Sequence, residues 1–571
     1  MVASVRKDRS VTRVAIIGSG PSAIYALHGL IDAASPLSVT VFERNDTPGL
    51  GTPYDPKTNS PEMLANIASI EIPEIDGSLL SYLQRCDVEQ LNTIGVDPAR
   101  LGEREFYPRI ALGAFFADRL AHLTEKAAAS GHRVEILAGC NVVDVMSDNM
   151  LRIVFRQSDG QLQDRDFDRV VLATGHSIGD EDGLPTAYST DHRECRTIGI
   201  LGSSLSAIDL AVAIANDRGQ FVDGVYALSE ETQPFSIAML SRGGRLPEAD
   251  FFCPLPAEPC SDFTQERVAE AIEQAIPGSK LDTAFMLFAA ALTAADPAYA
   301  AQIHLGELSA DTFADAYFAD RDRGDPFEWA ASNLAEAERN HRDKVTVPWR
   351  YTILRCHEAF GSAVPNFNRE EVARFNKGMK RVFADNYAAI PPLSIKRLLA
   401  LHQAGVLRIE KLSGDYRMSL ADGGFRINSA GNVMEFDQIY DARGQTSSTD
   451  EDLPFPSLRL LIAANRLAEG KGPISIKVEN DYRVKSGINL TANIWCLAIP
   501  FLLSEQPFVQ GLTSCWDMGR AAAQGIIASL NSPSPHTSLD DLREQVLETD
   551  PVYVETTVVL VPAAAGSVAA Q

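Results

Sequence analysis

The sequence predicts an α/β fold, because two βαβ units with small-residue turns are separated by a long helical stretch. The first unit begins with an apolar strand at Arg13–Ile17 and a glycine turn at 18–20. A helical pattern from Ser22 to about Ala33 and a strand at Ser38–Phe42 complete this unit. The same order restarts with a strand at Arg196–Leu201. Two such units in one chain predict two Rossmann-like domains.

Length and charge narrow the class of protein. The chain has 571 residues, enough for two or three domains at roughly 100–200 residues each. A formal net charge of -25 repels phosphate backbones and anionic membrane surfaces, so we expect neither nucleic acid nor a membrane as partner. The segment Met1–Thr12 has no apolar stretch typical of an export signal. The apolar helical stretch near Ala284–Ala295 is shorter than the ~20 residues that a bilayer requires, so we expect a cytoplasmic protein.

The cysteines are scattered along the chain and form no CxxC pair. This spacing argues against a dithiol redox centre and against a zinc ribbon, so we expect no metal. Cys253 and Cys260 are the nearest pair in sequence, and we interpret both as ordinary thiols. Free thiols in this number fit a reducing compartment.

The first βαβ unit carries the motif GxGxxA directly after its first strand. Gly18 permits a tight turn, Gly20 lets the backbone approach a pyrophosphate, and Ala23 lets helix and strand pack closely. The helix at Ser22 points its N-terminus at the phosphate charge. Glu43 ends the second strand, where a carboxylate accepts hydrogen bonds from ribose hydroxyls and repels a 2′-phosphate. This unit therefore predicts FAD or NAD and not NADP.

Two further segments favour FAD over NAD. A strand at 168–172 ends in Ala-Thr-Gly, a turn that passes the backbone close to a bound dinucleotide. The segments GLGTPY at 49–54 and MLAN at 63–66 supply glycines that can approach a flavin ring and an amide that can bond its edge. A turn-capping role is the alternative for Asn66. The further cofactor contacts that we expect are Arg44, Gly51, Leu64, Asn66, Ala173, Thr174 and Gly175.

The second βαβ unit points to the nicotinamide coenzyme. Its turn is followed by a helix that begins near Ile208 and by a strand at Ser236–Leu240 that ends in Ser-Arg. Arg242 can hold a 2′-phosphate through charge-assisted hydrogen bonds, so we favour NADPH over NADH. A solvated Arg242 is one alternative, and a strand at Val225–Leu228 that ends near Glu230 would instead favour NADH. The contacts that we expect are Gly202, Ser203, Ser204 (which replaces the middle glycine), Ser206, Ser241 and Arg242.

The order of these motifs resembles a bacterial FAD/NAD(P)-binding family related to class B flavin monooxygenases. The likeness lies in GSGPSA, FERNDTPGLGTPYD, LAN, FYPRIALGAFF, ATGH, ILGSSLSAIDLA, SIAMLSRGGRLPEADF and DQIYDARGQ, over roughly Arg13–Leu530. The resemblance implies FAD in the first domain. The family includes amino-acid N-oxygenases, such as those that make nitrosuccinate from aspartate, and a urate hydroxylase. The FxGxxxHxxxW motif of Baeyer–Villiger monooxygenases and the Ala-Thr-Gly-Tyr of ornithine hydroxylases are missing here.

We therefore expect two Rossmann-like dinucleotide-binding domains, for FAD and for NAD(P), with a helical insertion. A late apolar strand near Ile494–Leu497 predicts that the chain returns to the first domain. The expected limits are 1–195 for the first part of the FAD domain, 196–447 for the NAD(P) domain with its helical insertion at about 261–343, 448–530 for the return segment and 531–571 for a Ser/Pro-rich tail.

The expected chemistry follows from these cofactors. Hydride transfer from the nicotinamide to FAD is the minimal reaction. Because no cysteine motif supplies a disulfide acceptor, we expect O2 as acceptor, and the resemblance favours N-oxygenation of a small amine or amino acid. The alternatives are a C-hydroxylase without amine chemistry, an NAD(P)H-dependent flavin reductase or dehydrogenase, and a flavin-binding protein without turnover. We assign no general acid or base, and the oligomeric state stays open.

Three side chains are candidates for contact with the substrate. Arg109 lies at what the resemblance implies is a position near the flavin, and Arg350 lies in the segment WRYTILR. Either could anchor a carboxylate, and a structural ion pair is the alternative for each. His176 follows the Ala-Thr-Gly turn, where it could contact the flavin or the reacting oxygen, or serve as a hydrogen-bonded structural histidine.

Overall fold

The structure, a computed structural model, contains two parallel sheets, three small antiparallel sheets and a helical region. It describes residues 11–147, 150–175, 184–189, 195–421, 423–444, 447–468, 475–485 and 493–530. The strands are β1 Thr12–Ile17, β2 Leu37–Phe42, β3 Arg133–Leu137, β4 Asn141–Ser147, β5 Leu151–Arg156, β6 Leu162–Phe167, β7 Arg169–Leu172, β8 Thr197–Leu201, β9 Gly219–Val222, β10 Val225–Leu228, β11 Ser236–Ser241, β12 Leu407–Lys411, β13 Arg417–Ala421, β14 Gly424–Ser429, β15 Asn432–Phe436, β16 Gln438–Asp441 and β17 Ile494–Cys496.

Helices connect these strands and form the middle of the chain. The α-helices are α1 Pro21–Leu30, α2 Leu79–Leu83, α3 Val88–Thr93, α4 Arg109–Ala129, α5 Leu205–Asn216, α6 Gln265–Glu273, α7 Lys280–Ala295, α8 Pro297–Gln302, α9 Phe313–Phe318, α10 Pro326–Asp343, α11 Pro348–Gly361, α12 Arg369–Lys377, α13 Met379–Tyr387, α14 Pro392–Gln403, α15 Pro456–Ala468 and α16 Gly511–Ser529.

The first parallel sheet has the strand order β3-β2-β1-β7-β17. Register places Ile17 beside both Phe42 and Leu172, so the carboxyl ends of three strands meet at one edge. Helices α1 and α16 pack closely, because Gly29 lets the side chain of Ala523 approach the α1 backbone. The last strand, β17, comes from residues 494–496 and pairs with β7, so a late segment completes a sheet begun at residue 12.

The second parallel sheet has the order β12-β11-β8-β16 and shares no strand with the first. Its central strand β8 pairs with β11 and β16, as β1 pairs with β2 and β7. The Gly18 and Gly202 turns therefore lie on separate sheets. The predicted α/β fold is confirmed, and the predicted strands in both sheets agree with the structure to within two residues at each end.

Two three-stranded antiparallel sheets were not expected from the sequence. Strands β4, β5 and β6 form one and precede β7, and strands β13, β14 and β15 form the other and precede β16. Both sheets thus occupy the same place in the two halves of the fold. Their strands are short and carry many exposed charged residues, so apolar alternation is weak and the sequence pattern does not distinguish them from loops.

Helices α6 to α13 form the middle region. The helical run continues past 343, where we expected the insertion to end. Its core is aromatic: Phe288 is fully buried and lies 5.4 Å from Phe313 and 5.5 Å from Phe383, measured between ring centroids. The apolar stretch at 284–295 is part of α7 and belongs to this core. Within the described ranges, no helix is both long and apolar enough to span a membrane.

Candidate cofactor and substrate site

The first glycine turn is held tightly between two strand ends. The Gly18 N–H donates to the carbonyl of Phe42 at 2.8 Å, and the Ala173 N–H donates to the carbonyl of Ile17 at 2.9 Å. Gly18 has a φ of 105°, and a Cβ there would lie 2.1 Å from the Ala173 oxygen. Only glycine fits this position, so the turn packs directly on the Ala-Thr-Gly segment.

The space in front of α1 fits a pyrophosphate. Gly20 precedes the helix, and no side chain in the described part of the chain caps the helix N-terminus. A Cβ on Gly20 would meet just one heavy atom within 4 Å, the Cα of Gly51 at 3.4 Å. Gly51 has a φ of 75°, so glycines on both sides leave a narrow gap that a side chain would fill. The free helix N–H groups and this gap suit a phosphate group.

The side chain of Glu43, which we expect to bind the ribose, is held in place by hydrogen bonds within the protein. Its Oε2 accepts a hydrogen bond from the Ser19 hydroxyl at 2.6 Å, and its Oε1 accepts one from the Asn45 N–H at 2.8 Å. The Gly49 N–H in turn donates to the Ser19 hydroxyl at 2.9 Å. Each carboxylate oxygen accepts about two hydrogen bonds, so Glu43 retains acceptor capacity for a ligand.

The other residues predicted for FAD lie around the same edge. Leu64 is buried and forms a β-bridge with Pro108, and the N–H of Arg109 donates to the carbonyl of Met63. These bonds attach the 63–66 segment to the start of α4. The remaining predicted residues are buried (Ala23, Ala173), partly buried (Ser22, Asn66, Thr174) or exposed (Arg44, Gly175). His176 lies outside the described residues.

The second turn repeats the construction of the first. The Gly202 N–H donates to the carbonyl of Leu240 at 2.8 Å, and the Ala442 N–H donates to the carbonyl of Leu201 at 2.9 Å. Gly202 has a φ of 119°, and a Cβ there would lie 2.7 Å from the Ala442 oxygen. Ser204 is exposed and precedes α5, and no described side chain caps that helix either. Ser206 is partly buried in the first turn of α5.

The match between the two units shows which residue of the second unit takes the position of Glu43. In the first unit Ser19 bonds Glu43, and in the second the hydroxyls of Ser203 and Ser241 lie 2.9 Å apart. Ser241 therefore stands where the first unit has its carboxylate, and Arg242 follows it. Arg242 is exposed and makes no hydrogen bond or ion pair with any residue that the structure describes. It is available to a ligand at this edge.

The alternative strand for coenzyme choice does not belong to the parallel sheet. Strand β10, at 225–228, pairs with β9 in a separate antiparallel hairpin. Strand β11 pairs with β8 in parallel, as the second strand of a βαβ unit does. Glu230 therefore does not follow the strand that a dinucleotide contacts.

Arg109 forms an ion pair between the two halves of the fold. Its Nε donates to the Asp209 carboxylate at 2.9 Å, and its Nη2 lies 2.7 Å from the same oxygen. Arg109 begins α4 and Asp209 lies in the first turns of α5. Burial raises the pKa of Asp209, an effect that Arg109 opposes. Arg109 thus makes a structural ion pair, which was the alternative to a contact with the substrate. The pair lies at a point where the two turns approach each other.

Arg350 is also paired with carboxylates. Its Nη1 donates to Glu336 at 3.0 Å, and its Nε lies 3.0 Å from Glu248. Glu248 also pairs with Arg321, at 2.5 Å. The backbone carbonyl of Arg350 accepts a hydrogen bond from the side-chain amide of Asn386 at 3.3 Å. Arg350 therefore supports neighbouring segments, and its guanidinium is engaged by two carboxylates.

A polar cavity of about 70 Å³ lies beside Asn66, and the sequence did not reveal it. Its wall brings together residues that are far apart in the chain. The charged and amide side chains of this wall are Asn66, Glu71, Arg104, Asp250, His341 and Asn386. Three motifs that supported the family resemblance lie at this wall: LAN contains Asn66, RLPEADF contains Asp250, and FYPR begins two residues after Arg104. They gave no sign of a shared cavity, since a cavity assembled across some 320 residues has no local pattern.

The cavity contains titratable groups with perturbed pKa values. Burial raises the pKa of Glu71 to about 7, and the nearby Asp250 adds to this effect. His341 lies 3.2 Å from an Asp250 carboxylate oxygen, and this hydrogen bond raises the pKa of the imidazole. Arg104 is exposed at the mouth, where it donates to the carbonyl of Cys253 at 3.0 Å. Perturbed acids in a cavity are typical of a ligand site.

Two thiols that are far apart in the sequence lie close together in the structure. Cys260 and Cys356 hydrogen-bond each other, which lowers the pKa of Cys260 to about 6 and raises that of Cys356. Both are buried in the core of the middle helices. The sequence spacing, which singled out Cys253 and Cys260, did not indicate this contact. Neither thiol lies with the residues around the glycine turns.

Comparisons with known proteins agree with this geometry. Residues 15–177 match a family described as FAD-NAD(P)-binding, and residues 264–387 match one described as YdhS-like middle domain. The chain is 38% identical over 541 residues to the uncharacterized protein YdhS of Escherichia coli (strain K12), an alignment that covers 92% of this chain and 100% of that protein.

Solved structures share the fold at low identity. Ornithine hydroxylase (PvdA) of Pseudomonas aeruginosa is similar with a TM-score of 0.50 and 13% identity, covering 91% of this chain and 100% of that one. Lysine monooxygenase NbtG of Nocardia farcinica has a TM-score of 0.43 and 9% identity, covering 89% and 98%. At 13% identity the likeness to ornithine hydroxylase extends to the fold alone.

These findings establish the general class of the protein. Its FAD-NAD(P)-binding domain and two Rossmann-like sheets are those of a flavin-dependent oxidoreductase. The helices at 264–387 are the middle domain that YdhS-like proteins share. Because a relative 38% identical aligns over its whole length, this chain belongs to the YdhS family.

Proposed function

We propose that this protein is an FAD-dependent, NADPH-consuming monooxygenase that transfers one oxygen atom to a small, polar, amine-bearing substrate. NADPH supplies two electrons, O2 supplies the inserted atom, and its second atom leaves as water. We also propose that the FAD domain consists of residues 1–195 and 448–530, and that 196–447 bind the nicotinamide coenzyme.

One observation carries the proposal: the two glycine turns are built alike on separate sheets, and an ion pair joins the helices beside them. Gly18 and Gly202 occupy equivalent turns, each packed on the end of a neighbouring strand. The Arg109–Asp209 pair holds α4, on the flavin side, against α5, which begins at the second turn. Two dinucleotides bound in this way extend toward a common region, as hydride transfer requires.

The chain's own residues would bind and orient the two cofactors. FAD, when bound, accepts hydride from the nicotinamide and reacts with O2. Gly20 and Gly51 leave room for its pyrophosphate, and Glu43 accepts hydrogen bonds from its ribose. Arg242 faces the 2′-phosphate of NADPH, and Ser241 replaces the carboxylate that would repel this phosphate. Asn66, the amide that we expect to bond the flavin edge, also lines the polar cavity.

The arrangement of thiols favours O2 over a disulfide as the acceptor. A disulfide reductase needs a reactive thiol pair that the flavin can reach. The Cys260–Cys356 pair, the observation that favours a reductase, is buried in the core of the middle helices. The turn residues belong to other cores. This burial favours O2 as the acceptor. The reductase or dehydrogenase, and the C-hydroxylase, are the alternatives to the oxygenase.

Following NADPH oxidation tests this proposal. We expect FAD-loaded protein to oxidise NADPH slowly alone and faster when a suitable small amine is added, with an oxygenated product in proportion. Fast oxidation that gives only hydrogen peroxide, with or without amine, would indicate an oxidase or reductase. A stable flavin spectrum after anaerobic NADPH addition would indicate a binding protein without turnover.

A further inference from the structure

The polar wall of the cavity is assembled from five stretches of chain. Asn66 and Glu71 lie in the segment between β2 and α4, and Arg104 precedes α4. Asp250 follows β11, and the remaining polar wall comes from α10 and α13 of the middle region. A parallel β-bridge between Ala249 and Ile390 fixes the Asp250 segment to the end of that region. The cavity therefore lies where the predicted FAD domain meets the middle helices.

Two acceptors in this cavity lack a full set of donors. Asn386 is 1% exposed, and its Oδ1 has no hydrogen-bond donor among the residues that the structure describes. Its amide nitrogen donates to the Arg350 carbonyl, so the amide is oriented with the oxygen as the free atom. Glu71 receives a hydrogen bond from the Ala68 N–H at 3.1 Å on one carboxylate oxygen. A buried acceptor without a donor, such as the Asn386 Oδ1, is costly, and the partly buried Glu71 carboxylate has spare acceptor capacity, so both groups favour a ligand that donates N–H groups.

A cation stands at the mouth of the same cavity. The Arg104 guanidinium lies 4.8 Å from the Phe252 ring centroid and donates one hydrogen bond to the Cys253 carbonyl. A guanidinium has five N–H donors, so Arg104 retains several for a carboxylate. The cavity thus offers acceptors inside and a cation at its opening. The volume of about 70 Å³ suits a ligand of few atoms, since one water needs roughly 10–15 Å³ on the same measure.

We propose that this cavity binds a small α-amino acid, with its ammonium group on Asn386, Glu71 and Asp250 and its carboxylate toward Arg104. The proposal rests on the function proposed above, because it takes the amine-bearing substrate of that reaction to be an amino acid. A zwitterion carries no net charge, so the formal charge of -25 on the chain does not repel it. His341 is engaged by Asp250 and acts as a positioning residue.

Calorimetric titration of the full-length, FAD-loaded protein tests this assignment without turnover. The probes are glycine, L-alanine, L-serine and L-aspartate, with methylammonium and acetate as the two halves of glycine. We expect at least one amino acid to bind more tightly than either half. Glu71→Gln and Arg104→Gln should each weaken that binding about tenfold or more, since each removes a charged hydrogen bond. Glu103→Gln, an exposed neighbour outside the cavity, is the matched control and should bind as wild type.

Each outcome decides the matter. Failure of all four amino acids to bind, or unchanged binding by both variants with normal FAD content, overturns the cavity assignment. Neither result touches the oxygenase proposal, which depends on the product formed from NADPH and O2. Conversely, an amino acid that binds through Glu71 and Arg104 but yields no oxygenated product keeps the site and overturns the oxygenase.

Discussion

At the scale of single residues, Gly18 and Gly20 are needed for different reasons. Gly18 has a left-handed φ, and a Cβ there would collide with the backbone oxygen of Ala173. Gly20 has an ordinary φ of -73° and faces Gly51 across a narrow gap. The first glycine is therefore required by the fold, and we expect the second to be required by the pyrophosphate.

This difference predicts the behaviour of Gly20→Val. The valine side chain fits the backbone but fills the gap in which we place the pyrophosphate, so we expect a folded protein without FAD. Flavin absorbance per protein and far-UV circular dichroism measure the two effects. Gly324→Val is the control, because a Cβ on Gly324 would meet no heavy atom within 4 Å and the residue lies away from the turn. A yellow Gly20→Val protein with normal FAD content would contradict the assignment.

Arg242 decides coenzyme preference in this account. Arg242→Ala should weaken the binding of NADPH by about 1.5–3 kcal/mol, the value of a charged hydrogen bond, and leave the binding of NADH nearly unchanged. The ratio of kcat/KM for the two coenzymes reports this directly. Arg323→Ala provides the control, since Arg323 is an exposed arginine paired with Asp320. Equal losses for both coenzymes would remove Arg242 from this role.

The raised pKa of Glu71 predicts that the stability of the protein depends on pH. Its pKa rises from the usual 4.5 to about 7 in the folded protein, so folding favours the protonated form. Its contribution to stability is therefore present below pH 4.5 and is lost as pH rises through 7. The loss is at most about 3.5 kcal/mol, at roughly 1.4 kcal/mol per pKa unit. The other charged groups that face the same cavity are Arg104, Asp250 and His341.

Glu71→Gln should remove that dependence. In the absence of added amines, we expect its melting temperature to exceed that of wild type at pH 8.5 and to approach it at pH 5. Glu103→Gln should follow wild type at both values, because its side chain is exposed. A constant difference between Glu71→Gln and wild type across this range would show that Glu71 does not titrate near pH 7.

At the scale of elements, the ion pair between α4 and α5 connects the two dinucleotide units. Arg109→Met should destabilise the protein by about 3 kcal/mol, because it leaves the buried Asp209 carboxylate without its main partner. The double variant Arg109→Met/Asp209→Leu should recover most of that loss. Urea unfolding of both single variants and the double variant measures the coupling. A double variant that is less stable than both single ones would mean that the pair is not a stabilising contact between the helices.

Periodicity explains which elements could be predicted from the sequence. Strands β1, β2, β8 and β11 are short apolar runs next to small-residue turns, and their limits are local properties of the chain. The GxGxxA turn and the acidic strand end likewise lie within 26 residues of one another. The antiparallel sheets were missed because apolar alternation is weak in strands such as β6 and β15, which depend on their pairing partners.

The contacts of the candidate substrate residues could not be predicted, because they depend on long-range packing. Arg109 meets Asp209 a hundred positions away, and Arg350 meets Glu248 across a similar distance. Nothing local distinguishes such arginines from ones that bind a ligand. The cavity residues Glu71 and Asn386 belong to no sequence motif and acquire a role only when the middle helices pack beside the first domain.

At the scale of the whole molecule, the chain repeats one construction and adds to it. Each half has a central parallel sheet, a small antiparallel sheet before its fourth strand, and a glycine turn packed on a neighbouring strand end. The halves differ at the end of the second strand of each βαβ unit, which carries Glu43 in the first half and Ser241 in the second. The middle helices add the polar cavity, which neither sheet alone provides.

Incubation under labelled O2 tests the central claim of oxygenation most directly. FAD-loaded protein, NADPH and a panel of small amino acids would be kept under 18O2, with NADPH oxidation and product masses followed together. We predict an amine product that carries one labelled oxygen atom for each NADPH consumed. Quantitative NADPH consumption with the label found only in peroxide or water, or with electrons passed to an organic acceptor, would contradict the account in favour of a reductase.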